Sequence, residues 1–378
     1  MKKILLVLVA IILLTGCQSQ ALEENIESQP VITVLSKENN ESTPVEIEDD
    51  MFTQRDLLQT YDASEAVYIE LTDSNEIIID QEGTYVFTGQ SENTSIVVDV
   101  EDEKVQVVLD GVQIINDNQS IINVISADKV FITSVNENVM IVEEAMDEAA
   151  DAVIFSKGDL VFNGTGSLDI QAPEGNGVDS KDDLKITGSN LNIISEGSGI
   201  EANDSIRIAD GNISITSNKD GLHSENNSDD TLGNIYISGG TFMISASDDA
   251  IRAKSYLQID GGDIQVETSS EGLEATQVII NDGNIKIYST DDGINATQKS
   301  SLDVMFQVNG GQIDIEMALG DTDGFDSNGD LYINGGVISV NAVSAFDADG
   351  TAELNGGEVT VNNELVTELS MQQGRKKR

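Results

Sequence analysis

One motif constrains the fold of this chain more than any other feature, because it returns at intervals of 21 to 29 residues through most of the sequence. Each copy contains two apolar-x-apolar runs separated by a glycine turn, then a polar stretch, then glycine, an apolar residue, any residue and a small residue. Alternation with a period of two predicts short strands, and a repeat in the low twenties is typical of stacked repeat proteins. The glycines that mark successive copies are Gly166, Gly188, Gly211, Gly240, Gly262, Gly283, Gly311, Gly336 and Gly357.

The repeat predicts an all-β fold in which the copies stack and pair their strands in parallel, since no copy could bury its inward side chains alone. We expect a single-stranded parallel β-helix, a solenoid of about eleven coils. Its hand should be right, because parallel crossovers almost always take that hand. In two consecutive copies, the side chains expected to point inward are Leu257, Ile259, Ile264, Val266, Leu273, Val278, Ile280, Ile285, Ile287 and Ile294.

The N-terminus predicts export and lipid anchoring. Residues 1–17, MKKILLVLVAIILLTGC, combine a basic start, an apolar run and small residues before a cysteine, which is the pattern of a secretory signal. The apolar run is too short to serve comfortably as an uncleaved membrane span. The ending LTGC resembles a bacterial lipoprotein box, in which Cys17 is lipidated and becomes the first mature residue. We therefore expect an anchor at Cys17 on the extracellular face of the bacterial cell membrane.

Composition divides the remainder into a tether, one domain and a tail. Residues 18–50 are polar and acidic and predict a disordered tether. Residues 51–362 form the predicted β-helix domain, with residues 51–66 as a cap over its open N-terminal end. Residues 363–378 end in a short basic run and predict a disordered tail.

The charge balance excludes several classes of partner. The chain has 19 Lys plus Arg against 68 Asp plus Glu, a net charge of −49, so its surface repels nucleic acid and anionic lipid head groups. An acidic polysaccharide would be repelled as well, unless cations lie between it and the protein. Aromatic residues make up 4% with no tryptophan, which leaves little material for stacking against neutral glycans. The single cysteine excludes an internal disulfide, and we expect a monomer.

Carboxylates recur at two matched positions around the last strand of successive copies. The first column contains Asn176, Ser198, Asp220, Asp249, Glu271, Asp292 and Asp323, and the second contains Asp179, Glu201, His223, Arg252, Glu274, Asn295, Asp326 and Asp347. Stacking in register brings equivalent side chains to about 4.8 Å from one another. Two carboxylates at that distance repel by roughly 3.5 kcal/mol at an effective dielectric near 20. Either a cation lies among them, or they splay into solvent as an ordinary acidic face screened by salt.

Calcium fits these columns better than other metals, because it accepts many oxygen ligands in an adaptable geometry and the flanking glycines bring backbone carbonyls close. Zinc or copper would call for His and Cys, of which the chain has one each. A lone His223 is more often a bystander than a ligand, Arg252 is a candidate internal counter-charge, and Asn295 also interrupts the acidic column. The expected ligands are Asp179, Glu201, Asp220, Asp248, Asp249, Glu271, Glu274, Asp291, Asp292, Asp321, Asp323 and Asp326.

Several phrases of the sequence resemble, in the same order, the bacterial carbohydrate-binding domain family of calcium-binding right-handed parallel β-helices. They include MFTQRDLLQTYDASEA, SADKVFIT, DDTLGNIYISGGTFMISASDDAI and GDTDGFDSNGDLYINGG, and the resemblance covers residues 51–362. It implies a fold related to that of pectate lyases, calcium between the coils, binding of polysaccharides including acidic sugars, and a surface location. The acidic positions that match this family are Asp220, Asp248, Asp249, Glu271, Asp291, Asp292, Asp321, Asp323 and Asp326.

Three functions agree with these expectations. The first is a non-catalytic lipoprotein that binds acidic, uronate-containing polysaccharide, with calcium ions bridging sugar carboxylates to the protein. The second is a calcium-dependent polysaccharide lyase, whose candidate bases Lys181, Lys219 and Lys254 are each more simply explained as members of a salt bridge. The third is a passive adhesin or spacer rod. The charge pattern favours the first.

Overall fold

A computed structural model describes residues 33–36, 43–46, 51–73, 76–146, 150–320 and 322–369. Within these ranges the protein is all β, with a 24-stranded sheet, a 12-stranded sheet and a two-stranded pair. The described chain contains no helix long and apolar enough to cross a membrane. The signal residues 1–17 with Cys17, the predicted ligand Asp321 and residues 370–378 lie outside the described residues.

The two large sheets consist of three ladders, in which each strand pairs in parallel with a strand about one motif copy further along the chain. The first ladder contains Lys129–Ser134, Asp159–Gly164, Asp183–Ile186, Ser205–Ile208, Asn234–Ile237, Tyr256–Ile259, Gln277–Ile280, Met305–Val308, Asp330–Ile333 and Ala352–Leu354. The second ladder contains Glu137–Val142, Ser167–Ala172, Asn190–Ser195, Asn212–Ser217, Thr241–Ala246, Asp263–Thr268, Asn284–Ser289, Gln312–Met317, Val337–Asn341 and Glu358–Val361. The third ladder contains Glu76–Ile79, Ser95–Asp99, Ile122–Ser126, Ala152–Ser156, Asn176–Ser180, Ile200–Ala202, Leu222–Ser224, Ile251–Ala253, Leu273–Ala275, Asp292–Ala296, Asp323–Ser327 and Ser344–Ala348.

The first two ladders join near the N-terminal end into the 24-stranded sheet. The 13-residue strand Lys104–Asn116 is long enough to pair with Lys129–Ser134 through its first half and with Glu137–Val142 through its second half. Strand Gly83–Glu92 pairs with both halves of that long strand, and Val67–Glu70 pairs with Gly83–Glu92 at the edge. The third ladder forms the 12-stranded sheet by itself.

Inward side chains fill the space between the ladders, as the alternation predicts. All ten side chains expected to point inward in residues 257–294 are buried, and the most exposed of them, Ile287, is 3% exposed. Equivalent residues of the two copies face each other, since Leu257 pairs with Val278, Ile264 with Ile285 and Leu273 with Ile294. Burying one such side chain stabilises the fold by about 1.5–3 kcal/mol. The same contact repeated from copy to copy gives a continuous core.

Residues 51–61, which we call the strap, run across the outer side of the first ladder instead of covering an open end. The Asp56 carboxylate is fully buried, with Oδ1 lying 3.3 Å from Lys129 Nζ and Oδ2 lying 3.2 Å from Lys185 Nζ. Gln59 donates a hydrogen bond of 2.9 Å to the Thr187 carbonyl oxygen. The expectation of an N-terminal cap is therefore wrong, because the strap carries the counter-charge for lysines on the side of the ladder.

The C-terminal end of the described chain is a short hairpin. Strand Glu364–Val366 pairs antiparallel with Glu358–Val361, so the paired structure continues past residue 362. The turn residues Asn362 and Asn363 have φ values of 51° and 66°, a conformation that asparagine tolerates better than most residues and that two-residue hairpin turns require. In the stretch predicted to be a tether, Thr33–Ser36 pairs antiparallel with Thr43–Glu46.

Candidate metal centre

The third ladder places the second acidic column in one continuous register. Its members occupy the middle of short strands in which the residues on either side point inward, so their own side chains point outward. In each step of the ladder one member pairs with the next, giving Asp179, Glu201, His223, Arg252, Glu274, Asn295, Asp326 and Asp347 in that order. The order and register predicted from the motif are confirmed.

The first column lies at the corner where each of these strands begins, either at the first residue of the strand or two residues before it. Asp249 N–H donates a hydrogen bond of 3.1 Å to Asp220 Oδ1, and Asp323 N–H donates one of 3.1 Å to Asp292 Oδ1. A glycine follows every first-column residue except Asp249, which precedes Ala250, and it allows neighbouring copies to approach closely. A Cβ atom on Gly272 would lie 2.4 Å from the carbonyl oxygen of Gly293, which only glycine avoids.

Two overlapping groups of carboxylates form the densest part of the site. The first group is Asp220, Asp248 and Asp249, and the second is Asp249, Glu271 and Glu274. Within each group, one carboxylate oxygen of every member lies within 4.8 Å of the others. Asp220, Asp249 and Glu274 are buried, Glu271 is half-buried, and Asp248 is exposed at the rim. The site thus has a buried floor and one solvent-facing carboxylate.

The electrostatics of this group disfavour a full set of negative charges. Burial, followed by the charges of Glu274, Glu271 and Asp220, raises the pKa of Asp249 to about 9. Burial and the charge of Glu274 raise the pKa of Glu271 to about 8. Burial alone would also raise the pKa of Glu274, but hydrogen bonds from Glu271 and Lys299 lower it. At neutral pH the side chains alone therefore hold two carboxyl groups protonated.

Buried oxygen atoms without a hydrogen-bond partner also indicate that this site needs additional positive charge. Glu271 Oε2 and Asn295 Oδ1 are both inaccessible to solvent and unpartnered among the described residues. The Asn295 amide nitrogen donates a hydrogen bond of 3.0 Å to Glu271 Oε1, so the two side chains are neighbours. Carboxylate and amide oxygens are the ligand atoms that calcium accepts. These residues therefore fit a hard divalent cation.

The protein supplies part of the missing positive charge itself. Arg252 Nε lies 3.4 Å from Glu274 Oε2 and 3.9 Å from Asp249 Oδ2. The Arg252 terminal nitrogens lie 3.9 Å from Asp220 Oδ2 and 3.7 Å from Glu225 Oε2. Arg252 is therefore the internal counter-charge that the sequence suggests. Because its side chain reaches four carboxylates without a short contact to any of them, it neutralises them only partly.

Two residues of this site were missed by sequence reasoning, Lys299 and Glu225. Lys299 Nζ lies 2.7 Å from Glu274 Oε2, and Glu225 Oε2 lies 3.3 Å from His223 Nε2. The other ring nitrogen of His223 lies 3.3 Å from Asp220 Oδ2. Both missed residues belong to the two long insertions of the repeat, at residues 223–233 and 296–306. Their position beside the acidic corner is the signal that could have identified them.

The remaining predicted ligands form two smaller groups along the same face. Asp179 pairs in register with Glu201, and burial raises the pKa of both. Further along, burial and then the charges of Asp326, Asp291 and Asp323 raise the pKa of Asp292 to about 7. The structure thus brings eleven of the twelve predicted ligands onto one face, and the twelfth, Asp321, lies outside the described residues.

The candidate lyase bases do not gather around the carboxylates of Asp249, Glu271 and Glu274. Lys181 Nζ lies 2.7 Å from Asp179 Oδ2, and Lys254 Nζ lies 3.0 Å from Asp230 Oδ1. Both lysines are therefore members of salt bridges, the simpler role expected for them. Lys219 is exposed one residue before Asp220.

Comparison with known families gives two matches. A family model described as "Carbohydrate-binding domain-containing protein" matches residues 73–324, which is 252 of the 378 residues. A model of the prokaryotic membrane lipoprotein lipid attachment site matches residues 1–18, which contain Cys17. The chain is therefore a lipid-anchored protein of the cell surface, as its N-terminus predicts.

Individual relatives cover smaller parts of the chain. A carbohydrate-binding domain-containing protein of Acetivibrio thermocellus is 35% identical over 127 residues, which are 31% of this chain and 44% of that relative. This chain thus aligns with less than half the length of that relative. Among solved structures, the polysaccharide lyase-like protein from C. thermocellum, determined as a gadolinium derivative, is 30% identical. It covers 58% of this chain and 96% of its own length with a TM-score of 0.49.

Proposed function

We propose, from the premise that this chain belongs to the carbohydrate-binding domain-containing protein family, that it is a non-catalytic surface lipoprotein whose binding of acidic polysaccharide depends on calcium. Its ligand would be a glycan that contains uronate residues. The family supports carbohydrate as the class of ligand, and the lipid attachment site supports the location. The calcium dependence and the acidic character of the glycan are inferred from the carboxylate groups of the third ladder.

The observation that carries this proposal is the cluster of Asp249, Glu271 and Glu274. Three carboxylates lie within 4.8 Å of one another at a site that is largely removed from solvent. The pKa of Asp249 is raised to about 9 and that of Glu271 to about 8, so both groups would gain from a divalent cation more than an exposed carboxylate would. A purely electrostatic surface, screened by salt, would not bury its charges in this way.

In this proposal the floor of the site holds the ion and the rim meets the sugar. Asp220, Asp249, Glu271, Glu274 and the amide oxygen of Asn295 would supply the buried oxygen ligands. A bound calcium ion supplies positive charge and free coordination positions for a uronate carboxylate. Exposed Asp248 and Asp291 lie at the rim, where they repel an acidic glycan that arrives without a cation. The dependence on calcium would follow from both effects.

We infer further that the three ladders are the faces of a right-handed parallel β-helix of about eleven coils. Each motif copy contributes one strand to each ladder, and the parallel pairing runs from copy to copy. Parallel crossovers between strands of one sheet take the right hand in almost all proteins. In this architecture, the acidic corners stack along one edge and each cation site lies between two coils.

The proposal is tested by binding of purified full-length protein to polygalacturonate in three conditions: with calcium, with EDTA, and with calcium restored after EDTA. We expect binding with calcium, its loss in chelator and its recovery. The absence of unsaturated-uronate absorbance after prolonged incubation with calcium is expected for a binding protein. Binding of equal strength in EDTA would remove the calcium mechanism, and accumulation of unsaturated uronate would establish a lyase instead.

A further inference from the structure

The chain that leads from the lipid anchor joins the domain at the side of the first ladder. Met51 and Phe52, at the start of the strap, pack against the cluster formed by Tyr236 and Tyr256. Both tyrosines lie on strands in the middle of the first ladder. The anchored chain is therefore attached to interior strands before it reaches Val67–Glu70, the strand at the edge.

From these tyrosines the strap runs back along the first ladder toward that edge. The Asp56 ion pairs hold its middle, and the Gln59 Oε1 atom accepts a hydrogen bond of 2.8 Å from the Gly164 N–H. The Thr60 carbonyl oxygen accepts a hydrogen bond of 3.4 Å from the Gln106 side chain. Because these partners and the two tyrosines lie on six different strands, the strap fastens several motif copies to one another.

The side chains that the strap crosses are buried, although they point away from the core. Phe131, Lys185 and Tyr236 occupy one outward column of the first ladder, and none of them is more than 5% exposed. The Arg55 guanidinium of the strap lies 4.5 Å from the centre of the Phe131 ring. At the end of the same column, Glu353 is exposed. Detaching the strap would return apolar and charged groups to water, which resists its release.

The strand that follows the strap has much weaker support. Val67–Glu70 contains four residues, and among the described strands it pairs only with Gly83–Glu92. Val67 is 50% exposed and Tyr68 is 60% exposed. Elements with few buried contacts and exposed backbone hydrogen bonds open first when a protein is perturbed. A pull applied directly to this strand would therefore open the domain from its edge.

We propose that the strap is a mechanical clasp, which transfers a pull from the lipid anchor to the interior strands of the first ladder and keeps it off the edge strand. A pull arises when the anchored protein also holds a partner on its ladders. Because the chain passes through the strap before it reaches Val67, the strap must detach before the edge strand is loaded. Separating the buried Asp56 carboxylate from Lys129 and Lys185 is strongly unfavourable. The clasp depends only on the lipid attachment site and the contacts of the strap, so it holds whatever ligand the ladders bind.

The test applies a constant pulling force to single molecules of the full mature chain, prepared without its lipid. One DNA handle is always attached at the exposed position Lys286→Cys on the second ladder. The other is attached either to the natural Cys17, before the strap, or to Ala63→Cys in a Cys17→Ser background, after the strap. We expect the first opening step to be about ten-fold slower through Cys17, because the strap must detach first. That step should release residues 51–66, up to roughly 55 Å of chain.

Variants of the strap distinguish a clasp from a cover that only stabilises the fold. Asp56→Asn should speed the first step about ten-fold through Cys17 and leave it unchanged through Ala63→Cys, where the strap is not loaded. Asp62→Asn, an exposed acid just after the strap, is the matched control and should change neither rate. If Asp56→Asn does not fold, Phe52→Ala takes its place with the same expectation, because Phe52 packs at the start of the strap. Equal rates through both attachment points, or equal acceleration by the strap variant in both, would overturn the clasp.

Discussion

Two buried acidic groups of this protein, Asp56 in the strap and Asp249 on the third ladder, are stabilised in opposite ways. Burial alone would raise the pKa of both. At Asp56, the hydrogen bond from the Thr53 N–H and the charges of Lys185 and Lys129 reverse that effect and lower the pKa. At Asp249, the neighbouring Glu274, Glu271 and Asp220 add to the effect of burial and raise the pKa to about 9.

The difference shows that this fold can balance a buried carboxylate when it provides the cation itself. The strap delivers one acid to two lysines, whose side chains are 10% and 6% exposed. On the third ladder acids outnumber cations, because Arg252 and Lys299 face a larger number of acids. A buried charge without a partner destabilises the folded state. We therefore attribute the excess of acids on the third ladder to a cation that comes from solution.

The largest expected effect comes from removing the Asp56 carboxylate, whose charge Lys129 and Lys185 balance. Asp56→Asn leaves Lys129 and Lys185 buried without their shared partner, which should lower the free energy of unfolding by about 3 kcal/mol. The strap should also become sensitive to proteolysis within residues 51–61. Urea denaturation and limited proteolysis measure the two effects, with Asp62→Asn as the control because Asp62 is exposed and accepts hydrogen bonds from nearby Ser64. Equal stability of both variants would show that the strap is not held by its charge.

Calcium bound at the acidic group of the third ladder should stabilise the folded protein almost as strongly as the Asp56 carboxylate does. At a free concentration one hundred times the dissociation constant, one site adds about 2.7 kcal/mol to the free energy of unfolding. We expect the double variant Asp249→Asn, Glu271→Gln to lose this gain in thermal melts with and without calcium. Asp263→Asn with Glu358→Gln, two exposed acids of the second ladder, is the matched control and should keep it. A gain of equal size in both double variants would place the ion elsewhere.

The pH dependence of stability should differ with and without calcium. In EDTA the raised pKa values of Asp249 and Glu271 favour the folded state most at low pH, and this contribution is lost as pH rises toward 8 and 9. The melting temperature in EDTA should therefore rise by roughly 5 °C between pH 8 and pH 5. Asp56 does not interfere in this window, since its pKa is lowered and its contribution is lost only in stronger acid. Calcium should flatten or reverse the slope, and an identical slope in both conditions would contradict the account.

The smallest expected effect concerns the internal counter-charge. Arg252→Gln removes the cation that competes with calcium for Asp249 and Glu274, so the calcium affinity should increase roughly three-fold, about 0.7 kcal/mol. Isothermal titration calorimetry measures the change. Arg207→Gln is the matched control, because Arg207 has the same 26% side-chain exposure and pairs with Asp183 on the first ladder. Weaker calcium binding in Arg252→Gln would mean that Arg252 organises the ligands instead of competing for them.

Much of the fold could be read from the sequence because the motif repeats its alternation in every copy. Leu257 and Val278 occupy the same motif position, and that identity is enough to place them in register and in the core. The same logic placed Asp179, Glu201 and their successors in one column. In both cases the spacing within a copy determines where a residue lies in its strand, and the stacking of copies determines which residue it pairs with.

The strap and the cations of the acidic group depend on contacts that no local pattern records. Asp56 is 73 residues from Lys129 and 129 residues from Lys185 in the chain, and neither spacing relates to the repeat. Lys299 and Glu225 lie in insertions, where the motif is interrupted and predicts no direction for a side chain. The bulge at Glu267 is a single extra residue within an otherwise regular copy. None of these features follows from the spacing of the motif.

Proton release on calcium binding tests the central claim most directly. Metal-free protein at pH 7, in weak buffer, is titrated with calcium while a pH-stat records the protons released. Since the pKa of Asp249 is about 9 and that of Glu271 about 8, occupation of their site should release about two protons per ion. The Asp249→Asn, Glu271→Gln variant should release none. Failure of wild type to bind calcium, or binding without proton release, would contradict a cation site on the third ladder.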